Sequence, residues 1–290
     1  MDVSVTTPSP FAREPIGPIA TLVQWFRTWF KMCGVFFSDA LVYKANAVIW
    51  LMTDTVPAIV MPLIWLSSFN GRATIQGFNP SQMVIYYMVV LLLASLVESH
   101  VMWEMAGDVK QGKFNIYLTR PFSYMAYIGA DNLSWRFMRT LISVPIFMLI
   151  LAGFHKWVHW NASEYHYGWQ FCLAVLLGHI LSFCLSYTLG LLSLWLVETQ
   201  SLFHFYYLPL VIFNGQIAPL SFFPASVRAV AKFLPFNYTL GFPAQIFTGT
   251  IAPSDIALGF AVQCGWISVA LFSSVFLWRG GLKRYTAYGI

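Results

Sequence analysis

A chain of 290 residues that is 58% hydrophobic, 18% aromatic and only 9% charged is not a soluble globular domain, in which about 25% of residues are charged. Several apolar runs reach the roughly 20 residues needed to cross a bilayer's hydrocarbon core, so the chain reads as an all-α integral membrane protein in contact with lipid. Its net charge of +5 is spread over connecting segments, which excludes nucleic acid as an expected partner.

Residues 1–17 are polar and contain Pro8, Pro10 and Pro15, and predict a flexible cytoplasmic tail without a cleavable signal. Residues 18–43 predict an amphipathic helix. Gln24, Arg27 and Lys31 share one face, and Trp25, Phe26, Trp29 and Phe30 cover much of the rest. Such a helix suits the membrane interface, although an irregular first span has the same composition. Residues 44–290 then form one domain with six predicted spans. These are Asn46 to Phe69, Gln82 to Trp103, Phe137 to Phe154 (as a helix from near Tyr124), Trp169 to Val197, Leu202 to Ile217, and Ile256 to Trp278.

An even number of spans puts both termini on one side. With the termini inside, twelve Lys and Arg residues fall on inner segments, Arg136 and Arg139 among them. Arg72, Lys156, Arg228 and Lys232 fall outside. This bias predicts a multi-pass protein of the plasma membrane with both termini cytoplasmic.

The segment Gly107 to Ser123, "GDVKQGKFNIYLTRPFS", lies between the second and third spans and is therefore cytoplasmic. It predicts a short helix to about Gln111, a break at Gly112 and a second helix to Thr119, stopped by Pro121. Phe114, Tyr117 and Leu118 have the spacing of one apolar face, with Asp108, Lys110, Lys113 and Arg120 around it. That pattern fits an element docking in a protein groove, and equally a surface loop with snorkelling cations.

The connection after the fifth span is rich in proline. Pro219, Pro224, Pro235 and Pro243 exclude one continuous helix. Between Pro224 and Pro235 a short helix is expected, with Arg228 and Lys232 on one face, followed by a re-entrant piece near Asn237 to Thr248. Non-helical backbone at that depth is tolerated only inside protein or along a cavity. The expectation is an outer gate built on Pro219, Pro224, Arg228, Lys232 and Pro235, or else an outer loop packed on the spans.

In the fourth span Gly178, Ser182, Ser186 and Gly190 form a stripe of small residues suited to close helix packing. Asp54 and Glu98 are the acids most clearly within spans, and are candidates for a pathway or switch. His100, His179 and His204 are lone intramembrane residues expected to be satisfied locally. His155, His159, His166 and Glu164 sit in an outer loop that reads as an aromatic belt rather than a metal site. The four cysteines have no metal-site spacing.

The stretch "GKFNIYLTRPFS" resembles the segment after the second span of type-2 ABC exporter permeases, through Gly112, Leu118, Pro121 and Ser123. Lys113 and Asn115 replace the threonine and glutamate common there. The order of interfacial helix, six spans and proline-rich outer connection is similar, and "RGGLKRYTAYG" resembles the tail of a bacterial branch of these permeases. The resemblance implies a coupling helix docked on an ATP-binding-cassette subunit, a second permease subunit, alternating access, and an outward direction across the bacterial inner membrane. The chain has no G-x-x-x-x-G-K-[ST] loop, so ATP and Mg²⁺ would belong to the partner subunit and no cofactor to this one. It also lacks the motifs of a membrane-embedded enzyme, and its unlike halves do not suggest the internal repeats of a self-contained carrier. Aromatic, weakly charged spans fit a lipid-like cargo, but lipid contact demands the same residues.

Overall fold

The computed structural model describes residues 18–42, 44–196 and 198–285. The expected tail 1–17 lies outside the described residues. Eleven α-helices are present among those described, with no strand. They are α1 Pro18–Val42, α2 Lys44–Phe69, α3 Pro80–Val97, α4 Val101–Lys110, α5 Phe114–Leu118, α6 Tyr124–Gly153, α7 Trp169–Gly190, α8 Gln200–Phe213, α9 Ala225–Ala231, α10 Gly241–Phe247 and α11 Pro253–Arg284.

Local chemistry sets several boundaries. Asn79 caps α3 in a capping box with Gln82, and Pro80 stands in the first turn, where its missing N–H costs nothing. The Ser123 hydroxyl accepts the Ala126 N–H at 3.2 Å and starts α6 directly after Pro121. Gly112, at φ +71°, separates α4 from α5. On α11, Asp255 lies in the first turn and Lys283 and Arg284 in the last, matching the helix dipole.

The core is organised around α3, which is apolar on every side and buried between α2, α6, α7 and α10. Tyr86, Tyr87, Val90 and Val97 are among its buried residues. In contrast, α6 and α11 leave Phe137, Leu141, Met148, Leu149, Phe272 and Phe276 exposed, the surface expected of helices that face lipid. α1 lies alongside the first half of α6. Trp29 Nε1 donates to the Ala126 carbonyl at 2.9 Å, and the Ser134 hydroxyl donates to the Cys33 carbonyl at 2.9 Å.

Four pieces among the described residues are long and apolar enough to cross a membrane: Pro80–Lys110, Tyr124–Gly153, Trp169–Leu194 and Pro253–Arg284. Within α2 the described apolar stretch is the shorter Thr55–Phe69. The predicted fifth span differs from the structure. α8 has 14 residues and rises about 21 Å, short of a hydrocarbon core of about 30 Å. Pro209 stands within it, and the Asn214-Gly215 pair ends it inside the bundle.

Arg136 and Arg139 correct the charge count. They count among the twelve cations of the inner segments, but both are buried within α6. α6 begins thirteen residues before the predicted span, at its Ser123 cap. Ten inner cations remain against four outer ones.

Candidate functional site

Two helix breaks face each other in the interior. The first is at Glu98–Ser99–His100, between α3 and α4. The second is the segment after α8, from Asn214 to Pro219. Backbone that leaves a helix in a dry interior must find other hydrogen-bond partners, and here side chains supply them. The Ser182 hydroxyl accepts the Ser99 N–H at 2.9 Å, and the Ser186 hydroxyl accepts the Met102 N–H at 3.1 Å. Tyr86 and Tyr87 donate their hydroxyls to the carbonyls of Gly215 at 3.1 Å and Ile217 at 2.7 Å.

Glu98 joins the two breaks. It is 6% exposed. Its Oε1 accepts from Asn214 Nδ2 at 2.8 Å and from Gln216 Nε2. Beside it, Arg136 Nη2 meets His100 Nδ1 at 2.6 Å, and the Ser99 hydroxyl donates to Asn132 Oδ1 at 3.1 Å. His179 Nδ1 lies 3.1 Å from the Leu96 carbonyl. The result is a polar centre shared by α3, α4, α6, α7 and the end of α8. Glu98 and the serine stripe were legible in the sequence; Asn132, Arg136, Asn214 and Gln216 were not singled out. Charged residues within an apolar run and the "FNGQ" turn signal could have found them.

The small-residue stripe lies against the same chain. Ser182 and Ser186 face the first break. A Cβ at Gly190 would stand 2.5 Å from Met105 Sδ, and one at Gly178 would stand 2.6 Å from the Thr239 carbonyl oxygen. α4 and the outer connection therefore approach α7 where it has least side chain.

The outer connection folds back into the bundle. α9 follows Pro224, and Arg228 Nη1 donates to the Ser221 carbonyl at 3.1 Å. Pro219 and Pro235 are buried, Pro224 and Lys232 exposed. Beyond them Asn237, Thr239, Leu240 and Ala244 are buried between α3, α7 and α11. Gln263 of α11, fully buried, donates to the carbonyls of Tyr238 at 2.8 Å and Ala174 at 3.1 Å. Its role had no sequence signal beyond one glutamine in an apolar helix. In the outer loop, Tyr165 stacks between Trp160 and Phe247. Among the described residues no group of three His, Cys, Asp or Glu side chains gathers for a metal.

At the other end, α4, the Gly112 break and α5 form an elbow. Phe114 departs from its expected place on an outward apolar face. It is 1% exposed and packs on Tyr124, Trp278 and Tyr285 with ring centroids 4.9 to 5.8 Å apart. A five-residue helix has too little core of its own, so its largest side chain anchors it to α6 and α11. Tyr117 also turns inward, to Tyr127 of α6 at 3.4 Å. Asp108 is not a free rim charge, because it accepts the Tyr124 hydroxyl at 2.9 Å. Ile116 and Leu118 are left exposed, at 55% and 42%, with Lys113 and Arg120 beside them, while Lys110 lines a neighbouring cavity.

The turn after α7, which packs on α4, is also tied to the end of α11. Gly280 and Gly281 of "RGGLKRY" form a seat for Leu194 and Trp195, where a Cβ on either glycine would approach within 3 Å. Trp195 Nε1 donates to the Leu277 carbonyl at 3.2 Å. The side chain of Asp54 lies outside the described residues.

No curated relative matches the sequence. A family model described as ABC-2 family transporter protein matches residues 55–289, from within α2 through both breaks, the elbow and the outer connection to the C-terminal seat. With more than half its length matched, this chain belongs to the ABC-2 transporter family, as a membrane-spanning permease component.

Proposed function

We propose that this chain is the permease subunit of an ATP-driven exporter, coupled through its cytoplasmic elbow to a separate ATP-binding-cassette subunit. The observation that carries this is the elbow's division into anchored and exposed side chains. Phe114, Tyr117 and Asp108 fasten it to α6 and α11, while Ile116 and Leu118 remain exposed beside Lys113 and Arg120. A partner's push there would pass rigidly into α4 and so to the break at Glu98. ATP and Mg²⁺ would act in the partner, since this sequence has no phosphate loop.

Alternating access would then use the two breaks as joints. Glu98, with Asn214 and Gln216, is the switch, and the segment from Pro219 through α9 to α10 is the outer gate. In this arrangement α2 and the composite of α8 with the outer connection complete six crossings. α1 rests at the inner interface, and two permease subunits enclose the pathway in a bacterial inner membrane. The ten-to-four cation bias supports cytoplasmic termini.

Ile116→Asp and Leu118→Asp are the direct test. Each puts a charge in place of apolar burial worth about 2 kcal/mol, which is over tenfold in affinity. Both should reduce co-purification of the ATP-binding subunit and transport-linked ATP hydrolysis while the protein still inserts. Lys113→Ala should change either by less than fivefold, because exposed ion pairs contribute about 0 to 1 kcal/mol. Undiminished capture by both aspartate variants, or no capture by the wild type, would leave the elbow a membrane-surface loop. Phe114→Asp is unsuitable here, because it would disrupt the chain's own core.

Orientation has its own measurement. In a background lacking Cys33, Cys172, Cys184 and Cys264, a membrane-impermeant maleimide should label Ser163→Cys in intact cells. It should reach Gln111→Cys only after permeabilisation. The reverse pattern would invert the topology.

A further inference from the structure

Beside the elbow, where α4, residues 193–196 and 198–200 and the end of α11 converge, lies a cavity of about 560 Å³. Small-molecule sites commonly span about 300 to 1,000 Å³. Trp103 and Trp195 form aromatic walls, and Trp103 is braced by Phe203 and His204, each 5.0 Å away. Gly107 leaves one side open: apart from its own stretch of helix backbone, no atom lies within 4 Å of where its Cβ would be. Lys110 and Arg284 bring two positive charges. The Arg284 guanidinium stacks 4.7 Å from the Trp195 ring, which holds it in place without using its hydrogen-bond donors. The one acid of the lining, Glu198, is engaged by the Gln200 N–H at 3.0 Å. Leu196 of the lining is exposed, as are Phe205 and Leu208 on α8, whose first residue, Gln200, also lines the cavity.

Two cations at an aromatic chamber, with exposed apolar side chains on the adjoining α8, match a molecule with a phosphate-ester head and an apolar body. We propose, resting on the permease function above, that this cavity binds the anionic head of a phosphate-bearing amphiphile at the inner face, as the cytoplasmic entry point for cargo. Arg284 and Lys110 would bind the phosphate, Trp103 and Trp195 would cover the region beneath it, and the exposed face of α8 would accommodate the tails.

The test uses the full chain in an uncharged maltoside micelle, with bound species counted by native mass spectrometry. Dioctanoyl phosphatidylglycerol should bind at one per chain, about tenfold or more tighter than dioctanoyl phosphatidylcholine, given the worth of two basic residues against an anionic headgroup. Glycerol phosphate, the head without tails, should bind weakly. Gly107→Trp, which fills the open side, should abolish the preference. The Lys110→Ala and Arg284→Ala double variant should erase it while the neutral lipid is retained as before, which also serves if the tryptophan variant folds poorly. Equal retention of the two lipids in the wild type would overturn the anionic assignment. Glycerol phosphate binding as tightly as the lipid would overturn the amphiphile, in favour of a soluble phosphate ester. Capture of the ATP-binding subunit is measured in parallel. Capture that Gly107→Trp blocks, with no lipid preference in the wild type, would make the cavity a protein-docking groove and reject the lipid site. Lipid preference without capture would remove the ATPase pairing and leave the ligand site standing.

Discussion

Glu98→Ala is expected to lower unfolding stability by about 3 kcal/mol, the scale for removing one partner from a buried charged cluster. The substitution strands the amides of Asn214 and Gln216, both of which donate to Glu98 Oε1. Each unsatisfied buried donor costs about 1 to 3 kcal/mol. Glu98→Gln keeps an acceptor oxygen in the same place and should lose clearly less. The measurement is the midpoint of thermal unfolding in detergent, followed by transport-linked ATP hydrolysis. If alanine and glutamine variants unfold together at the wild-type midpoint, Glu98 does not hold the two breaks. If the glutamine variant is stable but uncoupled, the charge matters beyond the fold, as the switch role requires.

Gly178→Val is the second large effect. Its Cβ would stand 2.6 Å from the backbone oxygen of Thr239, which cannot rotate away as a side chain would. Overpacking of this kind costs about 1 to 3 kcal/mol. The strain falls on the segment that Gln263 pins through the neighbouring Tyr238 carbonyl, so the outer connection should loosen before the bundle does. Protease sensitivity at residues 224–235 should rise together with the drop in midpoint. Gly265→Val is the matched control, since nothing lies within 4 Å of its Cβ position, and it should stay within about 0.5 kcal/mol of wild type. Similar losses at both positions would mean that generic helix effects, and not the approach of Thr239, explain the result.

The elbow shows how a correct pattern can be assigned to the wrong surface. Phe114, Tyr117 and Leu118 do share helical spacing, but the face is divided between inside and outside. Periodicity gives the angle between side chains around a helix axis. It does not say which of two apolar surroundings, the chain's own core or a partner, each will meet. Phe114 went inward because Tyr124, Trp278 and Tyr285, far apart in sequence, converge around it.

By itself, the sequence determined the membrane class and the helical content, and it marked several helix boundaries. A bilayer leaves an apolar chain little choice but helix, and proline, glycine and capping residues mark where helices stop. The break at Gly112, the start of α9 after Pro224 and the low-bulk face of α7 were legible for that reason. Only the tertiary structure decided which polar residues meet. Glu98 and Asn214 are 116 residues apart, Ser99 and Ser182 are 83 apart, and Gln263 reaches two carbonyls on different elements. Each polar group must be satisfied once it leaves water. Which donor satisfies which acceptor depends on how α3, α6, α7, α8 and α11 pack together, and no local pattern in the chain carries that information.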